Sequence, residues 1–343
     1  MLRHWDMPLG NVFERIPFTV SGIDVAAGSQ GTNFDRDKVN LAWREALSMW
    51  TTVAPVSFVP PALGETPLLQ IHFVQDGTTG KLGDTAGSVT RATPTGPLGS
   101  SGINIYCDND FFMDRFREPR LHPTQPGPFD FITAIAHETG HALGLIHPSD
   151  PTVPAIMDPN IGDAVKRQLF PFDIHEVQRL QGSISLAASV GADLSATGQL
   201  VNASSGVQCE RGSFGLIVFG PMETSAFLDV VVPAKGQWVN ALRLTFTTVT
   251  ENIFVNRVET FDGIIPIQSF APSARGLGTE GLAGREFDMR LGFLNRPTLG
   301  NDMLVRLELF FTKQEGQRQS DFGVLQVTEI GVDTLPPALG FRF

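Results

Sequence analysis

The sequence predicts an α+β protein in two parts: a front half mixing strands and helices, then an all-β, sandwich-like half. Three observations predict it. Apolar residues recur at helical spacing over 35–51 and 129–143, between short apolar runs of strand length. After Gly182 the texture turns small and polar. Beyond it, Val239–Val249, Met303–Phe311 and Phe322–Ile330 alternate in period two, and no helical stretch interrupts them. The expected division is 1–182, then 183–205 as a linker or first strand, then 206–343.

In order, Ile16–Val20 reads as a strand. Residues 35–51 read as a helix, because Val39, Ala42, Trp43, Ala46, Leu47 and Trp50 share one face. Leu68–Val74 is apolar enough for a central strand. Residues 76–101 are rich in Gly, Thr and Pro and read mostly as loop, with Gly87–Ala92 as a short edge strand. Ile103–Cys107 is a further strand, and 112–128 a loop. Phe129–Leu143 is a helix burying Phe131, Ile132, Ile135, Ala136 and Leu143. Asp173–Gln181 is a closing helix, capped by Asp173 or its neighbour. The back half reads as an antiparallel sandwich.

The chemistry concentrates in His137-Glu138-Thr139-Gly140-His141-Ala142-Leu143-Gly144-Leu145-Ile146-His147. His137 and His141, four apart, project from one helix face and can share one metal ion. Gly144 lets the chain leave the helix sharply and bring His147 back as a third ligand. Three neutral imidazoles leave one position open on zinc, which suits catalysis better than a structural role. Glu138 stands next to the first ligand, where a general base is needed. Met157, ten residues beyond His147 in Ala155-Ile156-Met157-Asp158-Pro159, falls in a tight turn. Its thioether fits a soft apolar floor under the metal. The other histidines, His4, His72, His122 and His175, stand singly and read as ordinary core or surface residues.

This pattern resembles the metzincin zinc peptidases. "AHETGHALGLIH", "AIMDP" and the closing "FDI…VQRLQG" resemble their matrixin, or matrix-metalloproteinase-like, branch, with a bacterial-type variant the better fit. "RIPFTV", Trp43, Trp50, "APVSF" and "LQIHF" follow the order of that branch's first elements. The resemblance implies a metzincin-type catalytic domain: a mostly parallel twisted sheet with an active-site helix and a closing helix. It implies a zinc endopeptidase acting on extended protein or peptide substrates by Glu138-assisted attack of zinc-bound water. One catalytic zinc would be held by His137, His141 and His147, over the Met-turn residue Met157. Substrate would add as a strand along Gly87, Ser88, Val89 and Thr90, with Ala155, Ile156 and Pro159 walling the pocket past the cut. Secretion is expected on the resemblance alone, because "MLRHWDMPLG" lacks the apolar core of a signal peptide.

The chain also departs from the branch. Thr90 and Tyr106 stand where it keeps two structural-zinc ligands, and 76–110 holds no histidine. A second, structural zinc is therefore not expected. Asp108 and Asp110 are candidate calcium ligands, with a solvated acidic turn the equal alternative. Pro148 resembles serralysins, but their tyrosine past the methionine is absent. No proline-arginine-cysteine-glycine switch is present, so a thiol-on-zinc latency device is not expected.

A net charge of −11, acidic in both halves, excludes a basic nucleic-acid footprint. No run of eighteen apolar residues occurs, so no transmembrane helix is expected. Cys107 and Cys209 fall in different halves; Cys107 reads as a buried free thiol, with a bridge across the domain boundary as the alternative. The back half carries no familiar motif; its position behind a hydrolase suggests surface or carbohydrate binding. The competing readings are a zinc-containing adhesion or binding protein without catalysis, and a serralysin-like metzincin.

Overall fold

In the computed structural model the described residues are 14–27, 36–77, 80–91, 97–112, 128–162, 164–182, 188–191, 200–203, 207–212, 215–221, 224–248, 253–270, 285–311 and 322–335. They fall into two compact units, one running to 182 and one from 188.

The first unit runs β1 (Glu14–Ser21), α1 (Ile23–Ala27), α2 (Arg36–Thr51), β2 (Val56–Val59), β3 (Leu69–Val74), β4 (Gly83–Gly87) and β5 (Ser101–Tyr106). The pair β6 (Phe111–Phe112) and β7 (Phe129–Asp130) leads into α3 (Phe131–Ala142), and α4 (Pro171–Gln181) follows. The sheet order is β2-β1-β3-β5-β4. The first four strands are parallel, and β4 runs antiparallel to β5 at the edge. Period-two burial on β3 and β5 sends Leu69, Ile71, Phe73, Ile103 and Ile105 inward. The stripe on α2 meets them with Val39, Trp43, Leu47 and Trp50. Phe73, Phe111 and Phe131 complete this core as near-neighbour rings.

Two local predictions shift. The edge strand is Gly83–Gly87, not Gly87–Ala92. Gly-Asp-Thr-Ala-Gly has weak strand propensity, so pairing with β5 makes this strand, not its own sequence. Residues 88–91 turn away, with the Val89 amide donating to the Ala142 carbonyl at 2.8 Å. The closing helix begins earlier than Asp173, with Phe170 as N-cap and Pro171 in the first turn. Asp173 instead reaches back from N3 to accept the Phe170 amide at 2.9 Å, half of a capping box. The short α1 was not anticipated. The predicted loop over 112–128 lies mostly outside the described residues.

The regular elements among the described residues of the second unit are all strands. Its first sheet joins β8 (Ala188–Gly191), β10 (Gln208–Gly212), β11 (Gly215–Pro221), β13 (Trp238–Thr248), β16 (Arg285–Gly292) and β18 (Phe322–Leu335). Its second joins β9 (Leu200–Ala203), β12 (Thr224–Val232), β14 (Ile253–Asp262), β15 (Ile265–Phe270) and β17 (Met303–Phe311). Every pairing is antiparallel. Inward residues of both sheets form one apolar core, among them Val218, Leu244, Val305, Leu307, Leu325 and Val332. The segment read as linker or first strand supplies β8 and β9. Among the described residues no helix is long and apolar enough to cross a membrane.

Candidate active site

The site begins with the start of α3. Asp130, fully buried, caps the helix by accepting the Thr133 amide at 2.9 Å and the Thr133 hydroxyl at 2.6 Å. The same carboxylate takes Arg167 through Nε at 2.9 Å and in close contact through Nη2. The Lys166 amide donates to Thr133 Oγ1, so 166–167 is pinned to the helix start. Lys166 Nζ then pairs with Asp158 at 2.7 Å, with its side chain almost wholly buried.

At the other end α3 stops because Gly144 takes φ +92 and the chain doubles back. The turn swings His147 toward the helical histidines. His147 Nε2 lies 3.0 Å from His141 Nε2 and 3.2 Å from His137 Nε2. His137 Nδ1 contacts the Ile156 carbonyl and His141 Nδ1 the Leu145 carbonyl, each at 2.9 Å. A carbonyl can only accept, so both Nδ1 atoms carry the proton. Both Nε2 atoms then present lone pairs towards His147 Nε2. Tetrahedral zinc with bonds of about 2.0–2.1 Å sets its nitrogens ~3.3 Å apart. The three residues present fit that ion. Burial pushes His137 down to about 3, with the neighbouring histidines adding to the effect. Burial and the nearby His141 also lower His147. Neutral imidazoles are what a metal requires.

Met157 is fully buried and packs against α3 at Gly140. A Cβ on Gly140 would fall 2.2 Å from Met157 Sδ and 2.9 Å from Trp50 Cζ2, so the helix needs glycine there. Trp50 also donates Nε1–H to the Ala136 carbonyl at 3.1 Å. The turn itself hangs on Asp173, which accepts the amides of Ile156 at 2.8 Å and Met157 at 3.3 Å. Asp173 thereby fixes the carbonyl that orients His137. Burial raises its carboxyl, the three backbone amides pulling partly back.

Glu138 is buried beside the histidines, and β4 supports it. The Thr85 hydroxyl lies 2.7 Å from Glu138 Oε2. Burial raises the Glu138 carboxyl above its usual range; the Thr85 bond, then the nearby His141, oppose this. On the other face of β4, Asp84 gathers Lys81 Nζ at 2.9 Å, Tyr106 OH at 2.8 Å and Asn104 Nδ2 at 2.9 Å.

These groups open into a cavity of about 960 Å³. Of the expected residues, His137, Glu138, His141, His147, Gly87 and Pro159 line it. Ser88, Val89 and Thr90 do not; the wall is Gly80–Thr85 instead, because the strand lies upstream. Ala155 and Ile156 do not line it either. Both are fully buried, and Ile156 acts through its backbone; Asn160, Ile161, Gly162 and Phe129 form that wall with Pro159. Tyr106 and Thr90 spend their hydroxyls on Asp84 and Ser88. Asp108 accepts the amides of Asp76 and Gly77, so it braces a turn. Cys107 and Cys209 are both free thiols. Sequence reasoning missed Thr85, Asp84 and Asp130 and gave Asp173 only a capping role, since single Asp and Thr residues carry no periodic signal.

Residues 24–182 match the family model described as Matrixin. Matrilysin of Felis catus is 32% identical over 145 residues, 41% of this chain and 50% of that protein. Macrophage metalloelastase of Oryctolagus cuniculus is 30% identical, over 43% of this chain and 30% of that protein. Matrix metalloproteinase-C of Caenorhabditis elegans is 29% identical, over 48% and 28%. The chain thus spans half the length or less of these relatives. Among solved structures, a family 11 carbohydrate-binding module from Clostridium thermocellum aligns at 10% identity and TM-score 0.28, over 44% of this chain and 98% of that one. TM-scores this low say nothing about a ligand.

Proposed function

We propose that this chain, whose residues 24–182 match the Matrixin family model, is a zinc-dependent endopeptidase acting on extended peptide segments. The observation that carries the reading is the convergence of three imidazole Nε2 atoms in the cavity that Glu138 also lines. His137, His141 and His147 would hold the ion. Zinc, when bound, supplies Lewis acidity and brings the pKa of water towards neutrality.

The chain's own residues account for the rest. Glu138 accepts a proton from the attacking water as the water oxygen bonds to the carbonyl carbon. The same carboxyl returns that proton to the leaving nitrogen as the C–N bond breaks. Its raised pKa suits both directions of transfer. Among the described residues β4 is the edge strand of its sheet, so an extended substrate can add to it through main-chain hydrogen bonds. Phe129, Pro159 and Ile161 offer an apolar wall for the side chain beyond the cut. Action outside the cytosol belongs to the proposal on the matrixin kinship alone.

The test is a peptide-library digest read by mass spectrometry. The zinc-loaded chain is expected to cut, and the chelator-treated chain to stop. Glu138→Ala should keep one zinc per chain and lose at least about 100-fold in kcat, the scale of a missing general base. Normal cleavage by Glu138→Ala would refute the assignment.

A further inference from the structure

Glu138 is held from the side by a strand more than fifty residues upstream. Gly83 lies so close that a Cβ there would fall 2.7 Å from Glu138 Cγ and 3.0 Å from Cδ. Thr85, two residues on, shares that face of β4. Its Oγ1 stands 2.7 Å from Glu138 Oε2 and 3.0 Å from the Glu138 carbonyl oxygen. A hydroxyl has one proton to give. The shorter contact, to a carboxylate oxygen, has the length of a charge-assisted bond and takes it.

The strand that delivers this hydroxyl is itself fixed. Asp84, facing the other way, binds Asn104 and Tyr106 of the neighbouring β5. Register pairing of Gly83 with Ile105 and Thr85 with Ile103 adds the backbone ladder. Glycine gives the carboxylate room, the threonine grips one of its oxygens, and the aspartate anchors the strand that does both.

We propose that Thr85 is a positioning residue for Glu138. The hydroxyl occupies Oε2 and fixes the side-chain torsions, which leaves Oε1 to take the proton from the attacking water. The inference rests on the reading of Glu138 as general base. An unanchored glutamate samples several rotamers, and a misplacement of about 1 Å at a reacting group costs up to ~100-fold.

Thr85→Val removes the hydroxyl and keeps the shape; Thr85→Ser keeps the hydroxyl. With the full zinc-loaded chain and a fluorogenic peptide, Thr85→Val is expected to lower kcat about 10- to 100-fold. KM should stay within about twofold, and zinc content should stay at one per chain. Thr85→Ser should lie within about threefold of the parent. In a Glu138→Ala background Thr85→Val should cost nothing more. A crystal structure of metal-free Thr85→Val supplies a readout without activity: the Glu138 carboxylate should leave its place beside β4, and in metal-free Thr85→Ser it should stay. A Thr85→Val enzyme with parental kcat and an unmoved carboxylate would overturn the proposal. So would equal losses for Val and Ser, a loss confined to KM, or a further loss on top of Glu138→Ala. Parental cleavage by Glu138→Ala alone would remove the base assignment itself, an outcome separate from any behaviour of Thr85.

Discussion

The two units bury different kinds of matter. The first encloses Asp130, Glu138, Asp158, Lys166, Arg167 and Asp173, each bonded to named partners. The second encloses mostly Val, Leu, Ile, Phe and Met side chains, with a few buried polar groups such as Arg296, which donates to Asn240. Its ion pairs, Arg306 with Asp229 and Arg290 with Asp333, join a buried carboxylate to a half-exposed arginine. Burying charge is costly, and a buried pair gives little net stability over an apolar replacement. In the first unit the buried Asp130 holds a helix start and the buried Asp173 holds a turn. Its interior trades stability for geometry around one cavity, whereas the second unit's interior is mainly apolar packing.

Removing one half of a buried pair breaks that contrast most sharply. Asp130→Ala strands Arg167 and uncaps α3, and should cost about 3–5 kcal/mol, read by urea unfolding. Asp130→Asn should recover part of it, since the cap acceptor returns. A loss below ~1 kcal/mol would mean that Arg167 finds solvent. The apolar counterpart is Leu307→Ala, fully buried at the centre of the sandwich. About 2–5 kcal/mol should go through lost transfer and cavity energy, with hydrogen-exchange protection falling over β17 and its neighbours. Peptide hydrolysis by the remaining folded fraction should keep its kcat.

Gly140→Ala sets helix propensity against packing. Alanine should gain ~1 kcal/mol in an open helix. Here its methyl meets Met157 Sδ and Trp50, so the net should be a loss of about 1–3 kcal/mol in thermal denaturation. A gain would show that Met157 and Trp50 yield easily.

The smallest effects separate the two thiols. Burial pushes Cys107 up to about 12, against about 8.5 in an unfolded chain. Between those pH values the native state keeps a proton that the unfolded chain releases. Stability therefore falls as pH rises across the window, by at most about 1.4 kcal/mol per pH unit from this group. Cys107→Ala should flatten that slope in urea titrations at two pH values inside the window. At mildly alkaline pH a thiol reagent should modify the half-buried Cys209 before Cys107 in the native chain.

Much of both units was legible because the signals are local. The α2 stripe at spacings of three and four needs only helical geometry to become a buried face. The alternation of Met303–Phe311 became β17 with the predicted bounds and strict in-out burial. The edge strand was misplaced because its five residues carry no alternation; Asp84 and the β5 ladder define it. Ala155 and Ile156 were read as pocket wall from their place after His147. The chain there turns inward so that Asp173 can take its amides, which puts both side chains in the core.

The spacing of His137, His141 and His147, with a glycine between the last two, determined by itself that three imidazoles would meet and that Glu138 would sit among them. A helix turn and one left-handed residue are short-range geometry, so eleven consecutive residues suffice to encode them. Which atoms hold those groups was decided only by tertiary structure. Thr85 reaches Glu138 across fifty-three positions, Asp173 reaches Ile156 across seventeen, and Arg167 reaches Asp130 across thirty-seven. No period along the chain links such pairs, because their meeting depends on how the sheet, the helices and the returning loop pack.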